Sequence, residues 1–275
     1  MNSIKKMMLS GALGCLISGM AYADGSSPQP VKPYWQAIQV VAVNKEKPRS
    51  SFMSYADRET ALTSRFEKSP YYFLLNGTWK FFFVDSYKDL PQNITDPSVN
   101  TSSWDDITVP GNWEVQGHGV AIYTNHGYEF KPRNPQPPLL PEANPVGVYR
   151  RDIEIPASWD NRDIYLHIGG AKSGLYVYLN GKEVGYSEDS KNPAEFLINK
   201  YLQPGKNVLT LKIFRWSTGS YLECQDFWRM SGIERDVFLW SQPKASIQDF
   251  RVVSTLDDTY TNGICLLYTS PSPRD

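Results

Sequence analysis

Short runs of alternating apolar and polar residues, each closed by a turn former, recur through most of the chain and predict strands. Asp163-Ile164-Tyr165-Leu166-His167-Ile168 has the period of two that a half-buried strand requires. Tyr176-Val177-Tyr178-Leu179 and Lys182-Glu183-Val184-Gly185-Tyr186 flank Asn180-Gly181, a dipeptide that tolerates positive φ and so suits a two-residue hairpin. In residues 73–84 an Asn76-Gly77 turn signal precedes an aromatic-rich strand. The strand over 104–109 is expected to stop at Pro110, which cannot donate to a ladder, and Gly111 then permits a sharp turn presenting Asn112 and Trp113. Residues 146–151 and 208–213 read as further strands, the second entered from a Pro204-Gly205-Lys206-Asn207 turn. Such repetition of short strands argues for a β-sandwich.

The flanking segments lack this pattern. Residues 24–65 are polar and proline-containing without sustained period, which predicts an extended arm laid over the sandwich. Residues 132–145, PRNPQPPLLPEANP, read as a rigid surface crossing in preference to a polyproline ligand. After Trp240, residues 245–253 predict the first strand of a second sandwich. One or two strands cannot bury a sheet face, so this end is expected to be poorly ordered. At the other end Lys5 and Lys6, an apolar run over 7–20 and Ala21-Tyr22-Ala23 form an export signal over 1–23. The run is too short and glycine-broken for a membrane span. Cys15 follows Gly14 as a lipoprotein cysteine would, but Ala12 and Leu13 fit that signal poorly, so release to the periplasm or outside is the preferred reading.

Composition narrows the picture a little. The 275 residues suffice for one large or two modest domains, and eight tryptophans allow a sizeable core. A net charge of −1 gives no hint of nucleic acid. Beyond the leader only Cys224 and Cys265 remain; nothing in their spacing supports a disulfide or a metal site, and Cys224 reads as a small packed residue.

Candidate chemistry concentrates in residues 214–237, FRWSTGSYLECQDFWRMSGIERDV. The segment mixes five aromatic rings with three arginines and the carboxylates Glu223, Asp226, Glu234 and Asp236. Rings with polar groups among them suit a sugar, whose C–H faces stack while its hydroxyls seek partners. The same composition also suits a buried corner of packed rings and arginine–carboxylate pairs, with Asp226 bridged to Arg229 or Arg235. Asn112 is likewise open to two readings, turn former or ligand.

Residues 215–237 match RWS-x-GSYLE-x-QD-x-WR-x-SGI-x-RDV at every fixed position, and thereby resemble the bacterial β-galactosidases of glycoside hydrolase family 2. Val109, Pro110, Asn112, Trp113 and then Ile122-Tyr123-Thr124-Asn125 match VP-x-NW…IYTN; LNGTWKFFF and the NP-x-G-x-YRR of residues 144–151 are similar too. The resemblance implies an all-β chain: a galactose-binding-like jelly-roll sandwich over 66–243, then the start of an immunoglobulin-like sandwich over 244–264. Residues 265–275 fall outside the likeness and are expected to be a non-native tail.

The function implied is retaining hydrolysis of terminal β-D-galactosides, by two carboxylates roughly 5 Å apart. In the family these are glutamates of a barrel that follows, so no catalytic residue is expected in this chain. The asparagine matching Asn112 contacts the galactosyl group. The aspartate matching Asp226 holds sodium and, through it or directly, a sugar hydroxyl; other ligands of that ion come from the barrel, so affinity here is expected to be weak. Magnesium is a further implied cofactor of the full-length enzyme, which the family makes as a homo-oligomer. Thr218 and Cys224 depart from some relatives without touching Asp226. Two other readings are a secreted non-catalytic carbohydrate-binding module and a family 2 hydrolase of β-glucuronidase or β-mannosidase type.

Overall fold

Residues 33–130 and 133–271 are described in the computed structural model, so the expected leader over 1–23 and the start of the arm lie outside the described residues. Strands are numbered along the chain. The first nine are β1 (Ala42–Val43), β2 (Tyr72–Leu74), β3 (Gly77–Val84), β4 (Asp105–Val109), β5 (Gly111–Asn112), β6 (Ile122–Thr124), β7 (Val146–Glu154), β8 (Arg162–Ile168) and β9 (Ala171–Lys172). Then come β10 (Gly174–Leu179), β11 (Lys182–Ser187), β12 (Ala194–Leu197), β13 (Lys206–Phe214), β14 (Phe227–Arg229), β15 (Gly232–Ile233), β16 (Val237–Pro243), β17 (Ile247–Leu256) and β18 (Gly263–Pro271). The all-β expectation is borne out.

Two antiparallel sheets face each other. One has the order β1-β11-β10-β13-β7-β3-β4 and the other β12-β8-β16-β2. Alternation sends Leu209, Leu211 and Ile213 of β13, Val177 of β10, Leu166 and Ile168 of β8 and Leu239 of β16 into the shared core, with Trp79, Phe81 and Phe196. The Asn180-Gly181 turn joins β10 to β11 as the pattern predicts, both residues at positive φ (52° and 77°). Asn76-Gly77 acts differently. It carries the chain from β2 in the smaller sheet to β3 in the larger, so this turn crosses between layers.

Strand β8 is buried at more positions than an alternating pattern predicts. The arm is the reason. Its Tyr34 and Trp35 cover the outer face of the seven-stranded sheet, Trp35 stacking on Phe214 at 4.9 Å. It then adds β1 to the edge at β11, and Met53 seals the outer face of the other sheet over Tyr165, Phe238 and Trp240. The arm is therefore only partly extended: it includes a 3-10 turn at Tyr34–Gln36 and a short helix, Arg58–Leu62, capped by Asp57.

After the sandwich, β17 and β18 pair as a hairpin through Pro271, which differs from the expectation of a poorly ordered end. Backbone pairing within the hairpin accounts for the difference. Its side chains find little cover, and Val252, Leu256, Leu266 and Leu267 are exposed. Ser50 ties the hairpin to the arm, its N–H donating to Asp249 and its hydroxyl to the Phe250 carbonyl.

One carboxylate locks the arm down. Glu195 of β12 receives Arg49 Nε and Nη2 at 3.0 and 3.1 Å, His167 Nδ1 at 2.8 Å and Trp240 Nε1 at 3.1 Å. Burial raises its pKa, but the His167 hydrogen bond and the Arg49 charge outweigh that and hold the carboxyl below its ordinary 4.5. A depressed folded-state pKa adds stability that is complete above the ordinary value and lost as pH falls through the folded one. Glu195→Gln should therefore cost about 2–4 kcal/mol at neutral pH, by stranding Arg49. It should also flatten the acid limb of the stability curve; urea unfolding of both proteins across a pH series measures this.

Candidate functional site

Most of the 214–237 segment is interior. Phe214, Arg215, Tyr221 and Arg229 are buried, and Glu223 turns inward to accept from the Ser190 N–H and hydroxyl. Burial pushes the Glu223 carboxyl up despite these bonds. The buried-corner reading thus holds for much of the segment. Leu222, Gln225, Asp226, Trp228, Arg235 and Asp236 are the exceptions and face solvent.

Asp226 is bridged to neither of the arginines that composition offered it. The Arg229 guanidinium donates through Nη1 to the Glu223 carbonyl and lies 3.8 Å from Glu129. Arg235 donates to the carbonyls of Lys191 and Gly169. The Asp226 carboxylate accepts instead from the Tyr123 hydroxyl at 2.8 Å. That bond and the carboxylate's charge push the Tyr123 phenol up. The partnership follows from strand register: β14 pairs with β6, setting Trp228 opposite Tyr123 with their rings edge-on at 5.7 Å.

The chain just past Asp226 is pinned from behind. The Phe227 ring has Lys172 Nζ and the Arg229 guanidinium each 5.0 Å from its centre, and Lys191 Nζ at 5.3 Å. Burial lowers the pKa of Lys172, and its ammonium makes no hydrogen bond among the described residues.

Asn112 belongs to a second short ladder. A small sheet, β5-β15-β9, places Asn112 opposite Gly232 and Gly232 opposite Lys172. Asn112 Nδ2 donates to the Ser231 carbonyl at 3.2 Å, which fixes the amide while its Oδ1 keeps acceptor capacity. The two expected site residues thus stand on separate short ladders, Asn112 on β5 beside β15 and Asp226 just ahead of β14, with no hydrogen bond joining them among the described residues. Tyr123 and Trp228 complete an open surface of two half-exposed rings beside a carboxylate.

Buried charge holds this surface. Glu114, its side chain fully buried, accepts from the Ser231 N–H and lies 3.5 Å from Arg215 Nη1. Burial drives its carboxyl up, against those two contacts. Arg215 Nη2 also donates to the Val120 carbonyl. Both cysteines among the described residues are free: Cys224 is half-buried, its thiol against the Ser220 carbonyl, and Cys265 is exposed.

The fold is thus a two-layer β-sandwich with two half-exposed rings and a carboxylate on one open face. Residues 73–243 match the model of glycosyl hydrolases family 2, sugar binding domain, and the chain belongs to that family. It is similar to the β-galactosidase of Priestia megaterium, at 41% identity over 227 residues, covering 82% of this chain and 22% of that protein. The β-galactosidase of Psychromonas ingrahamii is 38% identical over 240 residues, covering 87% of this chain and 23% of that protein. The chain thus spans less than a quarter of these relatives. Among solved structures, a β-glucuronidase of Bifidobacterium dentium superposes with a TM-score of 0.56 at 18% identity, covering 73% of this chain and 36% of that one. One from an uncultured Clostridium gives 0.53 at 23%, covering 73% and 33%. At that identity the likeness is one of fold.

The β5-β15-β9 sheet depends on Gly232. Its φ is +117°, and a Cβ there would meet the Gly111 carbonyl at 2.8 Å and the Tyr149 hydroxyl at 3.1 Å. Gly232→Ala should destabilise the domain by about 2–4 kcal/mol through backbone strain plus overpacking. Thermal unfolding should register it as a lowered midpoint.

Proposed function

We propose that this chain is the N-terminal, sugar-binding part of an exported β-galactosidase, forming one wall of an active site whose acid and nucleophile lie in another part of a longer protein. The observation that carries this is the exposed Asp226 carboxylate, left free of both nearby arginines and steadied by Tyr123. The identity to β-galactosidases supports galactosides over glucuronides or mannosides. Asn112 and Asp226 would take hydroxyls of the non-reducing galactose.

Asp226 fits the role of a sodium ligand. Its carboxylate and the Tyr123 hydroxyl are hard oxygen donors, which suit an alkali cation. Among the described residues no three His, Cys, Asp or Glu side chains converge on one point, so the remaining donors would come from beyond this pair. A bound ion would supply fixed positive charge for a sugar hydroxyl. The residues of this chain hold and orient; none is proposed to transfer a proton to the glycosidic bond.

The alternative of a free-standing binding module is separated by calorimetry. Galactose binding that is tight and abolished by Asp226→Ala would favour the module. The chain alone should not cleave a nitrophenyl β-galactoside above background. In the protein extended by the downstream coding sequence, Asp226→Asn should weaken sodium activation and galactoside turnover together. An unchanged sodium response would remove Asp226 from the site.

A further inference from the structure

A cavity of about 410 Å3 lies where arm residues 45–53 bridge the outer face of the four-stranded sheet, and Asp226 is not among the residues that line it. Its size falls within the roughly 300–1,000 Å3 of small-molecule sites. Rings line the sheet side: Phe238 and His167 stack at 4.2 Å, 14° from parallel, and Phe66 closes one end.

The lining carries no excess charge. Lys45, Lys47 and Arg49 face Glu46, Asp189 and Glu195. Arg49 and Glu195 are spent on one another, and His167 Nδ1 is engaged by Glu195. Lys45 donates to Ser187, and Asn192 donates to both oxygens of Asp189, whose carboxylate keeps further acceptor capacity. An anion or cation entering here would find no surplus of opposite charge. A neutral polyol would find donors, acceptors and apolar rings together. A second depression, of about 600 Å3, shares Phe66, His167 and Phe238 and continues toward Tyr72 and Arg235, leaving room for a longer chain of sugar units.

We infer that this cavity is a second sugar site, taking a neutral mono- or disaccharide and acting independently of Asp226. In a hydrolase it would hold a glycan without cleaving it and so keep the enzyme near polymeric substrate.

The test is a ligand-observed NMR titration of the whole chain with galactose, lactose, cellobiose and maltose, and with galacturonate as the charged control. At least one neutral sugar should bind, and galacturonate more weakly than galactose. Phe66→Ala and the surface change Asn192→Ala should each raise the dissociation constant, the first about tenfold. Asp226→Ala should leave it within about twofold, which separates this site from the one proposed above. Unfolding midpoints close to that of the parent show that the variants remain folded. The proposal is overturned if no sugar binds, if binding survives both cavity variants, or if Asp226→Ala alone abolishes it. Galacturonate binding as tightly as galactose overturns it too. So does binding that vanishes in the protein extended downstream, since another part of the polypeptide would then fill the cavity.

Discussion

Two buried guanidinium groups hold the site face together. Arg215 and Arg229 leave the segment 214–237 inward and meet Glu114 and Glu129, acids that come from the loop region before β7. Each also donates to backbone carbonyls: Arg215 to Val120 and Arg229, and Arg229 to Glu223. Buried charges are costly unless paired and hydrogen-bonded; Arg215 meets both conditions, while Arg229 keeps its Nε and Nη2 without a hydrogen bond among the described residues, so the Arg215–Glu114 pair is the firmer tie between the two segments. Strands as short as β5, β15 and β6 would have little independent stability. The ion pairs behind them supply the rigidity that two- and three-residue ladders lack, and Asn112 and Asp226 inherit fixed positions.

The arm plays the matching part on the opposite side. Trp35 and Tyr34 close one outer face and Met53 closes the other, so sheets that would each show a wet surface are covered on both sides. This explains why strands written with polar alternation, such as β8, are buried nearly throughout. It also concentrates the attachment of the arm into the contacts of Glu195, where charge, rings and backbone meet.

The parts of the fold legible in the sequence were the local ones. Asn180-Gly181 announces its hairpin because the turn needs only its own two residues. The end of β4 at Pro110 is equally self-contained. The course of the arm was not legible, since Trp35 against Phe214 and Arg49 against Glu195 are contacts more than a hundred residues apart, set by tertiary packing. The proposed site was half legible. Asn112 and Asp226 stood out by resemblance, while Tyr123 did not, although it lies in the IYTN stretch: only register against β14 reveals that its hydroxyl meets Asp226. Pairing of Arg229 with Glu129 in place of Asp226 was likewise a nonlocal outcome.

The terminal hairpin has needs of its own. Among the described residues β17 and β18 ladder only with each other, and apart from the Ser50 contacts at Asp249 and Phe250 their outer edges carry no covering element beside a surface rich in Leu256, Ile264, Leu266 and Leu267. Natural sheets blunt such margins with charge, proline or a covering element. Here Arg251 is one of the few charges set among those apolar positions. A covering element laid over this hairpin would satisfy the backbone groups along those edges, a requirement separable from anything the sandwich does with sugars.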